Sequence, residues 1–399
     1  MIVIFYIFAA TLVYLSIKSF LGGVEYLNYF KQELDMPCSE WTPFVTIIAP
    51  CKGVDEGMVA NLDAVLQQDY PDYEVVFVVD DEDDPAGMVI ESAWREAEGR
   101  PVKLVVAEKA TESGQKVENL RTGVLHADER SEIFVFVDSD ARPGEAWLRA
   151  LVAGVENPDV GAATGYRWFL SDRPTVATEL RAVWNASIAS AFGPCGKNNF
   201  CWGGATAIRR EVFERLGIRE RWRGTLSDDF TLTRAVKDAS LSIRFVPQAL
   251  TASFGQCGWR ELFAFTTRQM KITRVYSPDL WRNSLLGSGL FVTVVTASYA
   301  ILALSERNGE AVWAAGAVLA LVSIFSIRKS SLRLKAVRLA LPQFERELKR
   351  QRLTQLTLWL AAPYLFFVNC VLAGVSRTIE WRGIRYTMAS PRETRVEHR

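Results

Sequence analysis

"IFVFVDSDARPGEAW", residues 133–147, is the stretch whose reading decides the fold. Ile133 to Val137 is an uncharged run of β-branched and aromatic residues, the pattern of a buried strand. It stops at Asp138-Ser139-Asp140, and Pro143-Gly144 then turns the chain. Two carboxylates this close repel unless a proton, a cation or water offsets the charge. In an extended segment both side chains fall on the same side. Two hard oxygen ligands, with open positions beside them, suit Mg²⁺ or Mn²⁺ held jointly with the phosphates of a substrate.

Working outward, three more apolar runs precede this one: "FVTIIAP" (44–50), "YEVVFVVD" (73–80) and "VKLVVA" (102–107). Stretches with apolar residues at three- and four-residue spacing, such as 56–67 and 86–97, separate them. Strands alternating with helices predict an α/β domain with a mostly parallel, Rossmann-like sheet covered on both faces. Ligands of such sheets bind beyond the carboxyl ends of the strands. There the chain gathers Lys52-Gly53-Val54-Asp55, then Asp80-Asp81-Glu82-Asp83-Asp84, then Asp138-Ser139-Asp140. Wet loops explain any one of these clusters; three at one edge point to a site.

Composition narrows the classes. Lys plus Arg and Asp plus Glu each number 46 in 399 residues, so the basic footprint of a nucleic-acid binder is missing. The six Cys form no CxxC pair, and Cys38, Cys51, Cys195, Cys201 and Cys257 read as free thiols of a reducing compartment. With only two His, a His-ligated transition metal is excluded in favour of an oxygen site.

Four apolar segments, 1–17, 284–304, 311–326 and 354–375, predict an integral membrane protein. The first lacks a charged n-region and a cleavage site, so it reads as an anchor within 1–22. The expected organisation continues with a soluble domain (40–258), an interfacial amphipathic helix (259–283), C-terminal membrane segments (284–376) enclosing a basic loop (327–352), and a basic tail (377–399). Nine Lys and Arg between 327 and 352 predict that this loop is cytoplasmic, as is the soluble domain, and that "SERNGE" (305–310) is outside. Four simple crossings then put the tail outside, against its six Arg; a broken or re-entrant last segment around Pro363 resolves the conflict in favour of a cytoplasmic tail.

In order along the chain, Lys52-Gly53-Val54-Asp55, "YPDYEVVFVVDDEDDPA" (70–86), Lys116-Val117-Glu118-Asn119-Leu120, Asp138-Ser139-Asp140, "WGGATAIRREVF" (202–213) and "SDDF" (227–230) resemble the family-two, GT-A-fold glycosyltransferases, most closely the ceramide glucosyltransferase-like branch. The resemblance runs from about Phe44 to Trp281. It implies an enzyme that moves a hexose from a UDP-sugar to a membrane lipid such as ceramide, with inversion and with a divalent cation. It also implies roles: Asp81 with Asp80 on the uridine, Lys52 and Lys116 near the nucleotide, Asp138 and Asp140 on the metal, and Asp229 as general base beside Asp228. Asp228 replaces the family's Glu, and a helix N-terminus explains both carboxylates structurally.

One departure stands at 268–272. The family carries Gln or Arg, two residues, then Arg-Trp; this chain has Arg268-Gln269-Met270-Lys271-Ile272. Arg268 and Lys271 retain positive charge for a diphosphate, but Lys offers no bidentate fork and the Trp is absent. Two other functions fit less well. A processive polysaccharide synthase would keep the Arg-Trp motif and more spans, and a non-catalytic scaffold would not need Asp81, Asp138, Asp140 and Asp229 together. The ending "WRGIRY" (381–386) resembles that of similar lipid glycosyltransferases.

Overall fold

The computed structural model describes residues 2–37, 39–97, 99–305 and 309–398; Cys38, the centre of the 305–310 link and Arg399 lie outside the described residues. Two compact units emerge. One holds residues 32–172, 191–256 and 377–399; the other holds 1–31, 173–190 and 257–376.

The first unit is built on β1 (Val45–Pro50), β2 (Tyr73–Val79), β3 (Val102–Val106), β4 (Ile133–Val137), β5 (Val160–Thr164), β6 (Arg167–Leu170), β7 (Ala205–Arg209), β8 (Ser242–Phe245) and β9 (Thr251–Phe254). Seven of them form one sheet in the order β3-β2-β1-β4-β7-β5-β8. Pairing is parallel throughout except around β7, which runs antiparallel to β4 and β5. The sheet is thus mostly parallel, as expected, with one reversed strand that the short, Ala-rich "ATAIR" and "VGAAT" do not announce. All five residues of β4 are buried. Phe136 packs tilted against Phe213 and edge-on to Trp222, the latter with ring centroids 5.4 Å apart. Each such aromatic side chain contributes roughly 1.5–3 kcal/mol on burial. A separate pair, β6 with β9, flanks the sheet.

The tail is ordered. β10 (Thr378–Trp381), β11 (Ile384–Ser390) and β12 (Glu393–His398) form an antiparallel sheet of three strands that belongs to the same unit. Trp381 pairs with Ile384 across a two-residue turn, and Arg382 and Gly383 both have positive φ (53° and 77°). That left-handed pair matches the twist of a hairpin.

Among the described residues, three helices are long and apolar enough to cross a membrane: Val3–Leu34, Pro278–Leu304 and Glu310–Ala340. Two expectations change here. The basic stretch 327–352 is not a loop, because the helix Glu310–Ala340 runs through it to the first breaker, Pro342, and the helices Glu345–Arg350 and Arg352–Thr357 follow. The stretch 259–283 is not one helix: Trp259–Tyr276 ends at Ser277, and Pro278 opens the next helix at its first turn. The last apolar segment is broken, as expected, into Arg352–Thr357 and Ala362–Val375, with Pro363 in the first turn of the second piece. Its 14 residues fall short of the roughly 20 that a spanning helix needs. The helix Trp259–Tyr276 packs on it: Arg274 donates to the Ala373 carbonyl (2.6 Å) and Thr267 donates to Asn369 Oδ1 (3.0 Å). Trp259 and Phe263 stay exposed.

Candidate active site

Parallel pairing brings the carboxyl ends of β1, β2 and β4 to one edge of the sheet. Because β7 is antiparallel, with Ala205 beside Val137, the Gly203-Gly204 pair before it arrives at that same edge. Asp138 leaves β4 there. Its Oδ1 lies 2.7 Å from Lys116 Nζ, and its Oδ2 lies 2.8 Å from Arg167 Nη2. The other nitrogen of that guanidinium, Nη1, is 2.8 Å from Asp140 Oδ2. One guanidinium therefore spans both carboxylates of the Asp138-Ser139-Asp140 motif, and it stacks over Trp202 at 4.7 Å from the ring centroid. Arg167 was not expected from the sequence; a lone Arg at the start of the apolar run "RWFL" was its only signal.

Lys116 sits in the first turn of the helix Gln115–Gly123. Gln115 fixes that turn. Its carboxamide accepts from Ala110 N–H (2.8 Å) and donates to the Glu108 carbonyl (3.0 Å) and to Asn119 Oδ1 (2.9 Å). Lys116 Nζ is also 3.4 Å from Asp228 Oδ2, so it joins the β4 edge to the "SDDF" motif. Gly203 and Gly204 make room for this cluster. A Cβ on Gly203 would stand 2.1 Å from Asp228 Oδ2 and 2.8 Å from Lys116 Nζ, and one on Gly204 would stand 2.7 Å from Asp138 Oδ2.

Asp228 and Asp229 open the helix Asp228–Asp238, capped by Ser227. The Phe230 N–H donates to Asp229 Oδ1 (2.7 Å), and the Ser227 hydroxyl donates to the same oxygen. Asp228 is buried and Asp229 partly exposed. Burial, together with nearby Asp229 and Asp138, pushes the Asp228 carboxyl up to about 6, against the pull of Lys116. Burial also works to raise Asp138, but Lys116 and Arg167 outweigh it and hold that carboxyl below its ordinary value. Two carboxylates on one lysine thus have opposite protonation tendencies.

On the β1–β2 side, Lys52 pairs with Asp80, which is buried, and among the described residues Asp80 Oδ1 has no hydrogen-bond partner. Asp81 pairs with Lys109 at 2.8 Å, whose hydrogen bond lowers the Asp81 pKa. Asp84 caps the following helix through Ala86 N–H (2.8 Å) and accepts from Gly53 N–H (2.9 Å). The tail closes this side: Arg382 Nη2 is 2.5 Å from Asp55 Oδ2, and the hydroxyl of buried Tyr386 accepts from the Gln115 N–H (3.2 Å). Arg382 and Tyr386 place the "WRGIRY" ending against Asp55, after β1, and Gln115, at the start of the helix that follows β3.

Of the residues expected at the site, Lys52, Asp80, Asp81, Lys116, Asp138, Asp140, Asp228 and Asp229 all belong to this unit. Arg268 and Lys271 do not; they lie on the helix Trp259–Tyr276 of the second unit, where burial lowers the Lys271 pKa and the Arg268 guanidinium lies 5.5 Å from the Phe265 ring centroid. The four described cysteines expected to be free, Cys51, Cys195, Cys201 and Cys257, are free, as is Cys370. Among the described residues no cluster of three or more His, Cys, Asp or Glu could hold an ion unaided.

This mixed sheet, with acidic strand ends facing one edge, is a GT-A fold. The mannosyltransferase PcManGT from Pyrobaculum calidifontis, solved with GDP-Man and Mn²⁺, has the same fold, with a TM-score of 0.52 over 84% of this chain and 99% of that one, at 20% identity. The chain matches glycosyl transferase family 21 over residues 3–393; it belongs to that family and is a glycosyltransferase. A ceramide glucosyltransferase of Komagataella phaffii (strain GS115 / ATCC 20864) is 32% identical over 77 residues, which are 19% of this chain and 15% of that protein's length.

Proposed function

We propose that the chain transfers a hexose from a UDP-sugar to the hydroxyl of a membrane lipid of the ceramide type, with inversion, on the cytoplasmic side. The observation that carries this reading is the convergence of Asp138, Asp140, Lys116, Asp228 and Asp229 at one edge of the sheet. Asp138 and Asp140 direct an oxygen each to a single guanidinium, so the pair fits one cationic centre, and an all-carboxylate set suits Mg²⁺ or Mn²⁺. When bound, such an ion neutralises charge on the diphosphate as it leaves. Asp138 and Asp140 would hold such an ion, and Arg167, which bridges them here, would then be free to turn its guanidinium to the phosphate oxygens. Lys116, held by Asp138, supplies further positive charge at the leaving group. The partnerless Oδ1 of buried Asp80 suits an N–H donor, as the imide of uracil provides.

A lipid hydroxyl has a pKa far above 7 and needs a positioned base as it attacks. Asp229 is the assigned base: it is the more exposed of the two carboxylates, and the helix N-terminus holds one of its oxygens while the other stays available. Asp228, raised to about 6 and tied to Lys116, positions that lysine. One base acting without a covalent intermediate gives inversion. Among the described residues two candidate spans, Pro278–Leu304 and Glu310–Ala340, separate the sheet from the tail; this even number supports a common cytoplasmic side for both, which share one compact unit.

The test is incubation of membranes carrying the wild type, Asp138→Asn or Asp140→Asn with radiolabelled UDP-glucose, UDP-galactose or UDP-N-acetylglucosamine, followed by lipid extraction. A labelled lipid formed by the wild type and lost in both variants is expected. Label that stays water-soluble, or activity unchanged in both variants, contradicts the reading.

A further inference from the structure

Lys329 and Arg333 lie one turn apart on the helix Glu310–Ala340, on one face. Like charges so placed repel, and Arg333 is only 4% exposed. Arg333 Nη2 donates to Gln355 Oε1 (3.0 Å) and Nη1 to Ser190 Oγ (3.3 Å), while Lys329 Nζ donates to Ser19 Oγ (2.8 Å). Every one of these partners is neutral. Among the described residues neither cation forms an ion pair with a carboxylate. Glu179, a buried carboxylate of the same unit, is taken up by Thr354 (2.5 Å) and Gln351 (3.4 Å). Two buried donors are left over: Arg333 Nε and Nε2 of Gln355, itself 0% exposed. A buried cation without a counter-charge is costly. Two such cations with two unused N–H groups call for an anion with several acceptor oxygens.

The height of the pair says where that anion comes from. The uncharged N-terminal stretch ends at Lys18, and the apolar stretch 311–326 ends just before Arg328. Phe20 and Phe325 are in contact, with ring centroids 5.8 Å apart, and Lys329 reaches Ser19. Both helices therefore turn from apolar to charged at one level, the level of lipid phosphates. Gly23 lets them approach there: a Cβ on it would meet Lys329 Cγ at 3.1 Å.

We infer that Lys329, Arg333 and Gln355 form a binding site for the phosphate of an anionic membrane lipid, distinct from the sugar-transfer site. The purified full-length protein is reconstituted into phosphatidylcholine vesicles with and without phosphatidylglycerol. Retained lipid is read by native mass spectrometry and stability by thermal unfolding. The wild type keeps phosphatidylglycerol and melts higher in its presence. Arg333→Met and Lys329→Gln retain about tenfold less or lower still, the scale of one charge-assisted hydrogen bond. In pure phosphatidylcholine Arg333→Met melts above the wild type, because an uncompensated buried charge is gone. A purely structural Arg333 predicts the opposite: lower melting in both vesicles and unchanged lipid retention, which overturns the inference. Should Arg333→Met fail to fold, half-buried Lys329→Gln carries the retention test, and wild-type retention by it overturns the inference. Equal stabilisation by inorganic phosphate in phosphatidylcholine vesicles assigns the site to a free anion and overturns the lipid assignment.

Discussion

Asp228→Asn isolates the electrostatic cost built into the site. The native carboxyl takes its proton at about 6, against an ordinary value of 3.8, chiefly because it is buried. A carboxyl raised in the folded state binds protons more tightly there than in the unfolded chain. Stability therefore falls as pH rises from about 4 to about 6, and the loss is complete above that window. A difference of about two pKa units corresponds to roughly 3 kcal/mol. Asn imitates the protonated form, and Lys116 keeps Asp138 at 2.7 Å as a partner. At pH 7 the variant should unfold about 6–12 °C above the wild type, taking about 2–4 °C per kcal/mol for a unit of this size. Below pH 4 the two should coincide. Thermal unfolding of both proteins in one detergent, from pH 4 to pH 8, provides the assay. Parallel pH profiles, or a variant less stable at pH 7, would refute the claim that burial of Asp228 works against folding. Transfer should fall in the variant even as stability rises, since Lys116 loses one of its two anchors.

Other outcomes follow from the same geometry. Gly203→Ala drives a methyl group to 2.1 Å from Asp228 Oδ2, so the cluster must shift; transfer should be lost with a destabilisation of about 1–3 kcal/mol, and a variant normal in both assays would show that the close approach is irrelevant. Arg167→Gln removes the cation that competes for Asp138 and Asp140; Mn²⁺ titrated calorimetrically without nucleotide should bind about 10- to 100-fold more tightly, whereas unchanged or weaker binding argues against a shared centre. Tyr386→Phe leaves the Gln115 N–H without its acceptor and should cost about 1–3 kcal/mol, read as a lower melting temperature; no change would mean that the tail is not anchored there.

Much of the candidate site edge was legible because its chemistry is local. Uncharged β-branched runs ending in carboxylates mark strand and edge together, so Asp80, Asp138 and Asp140 stand out in the sequence. Arg167 does not, because its place depends on β5 returning beside β7, a pairing that no short-range pattern records. Arg382 reaches Asp55 across more than three hundred residues, and its hairpin is visible only as a Gly in a basic tail. In the second unit, hydropathy located the apolar segments but not how far each helix runs. Lys and Arg between 327 and 340 extend a helix as readily as a loop, while Pro278, Pro342 and Pro363 mark three of the breaks.

The central claim is that Asp229 accepts the proton of the acceptor hydroxyl. Asp229→Asn keeps size and shape and removes only the basicity. UDP-sugar affinity and the rate of transfer to extracted lipid, measured on the same purified variant, separate binding from chemistry. The account predicts wild-type affinity with transfer reduced roughly 10²–10⁴-fold. Transfer at the wild-type rate, with at most about 0.3–1 kcal/mol of lost stability, would make Asp229 a helix-terminal carboxylate and contradict the claim.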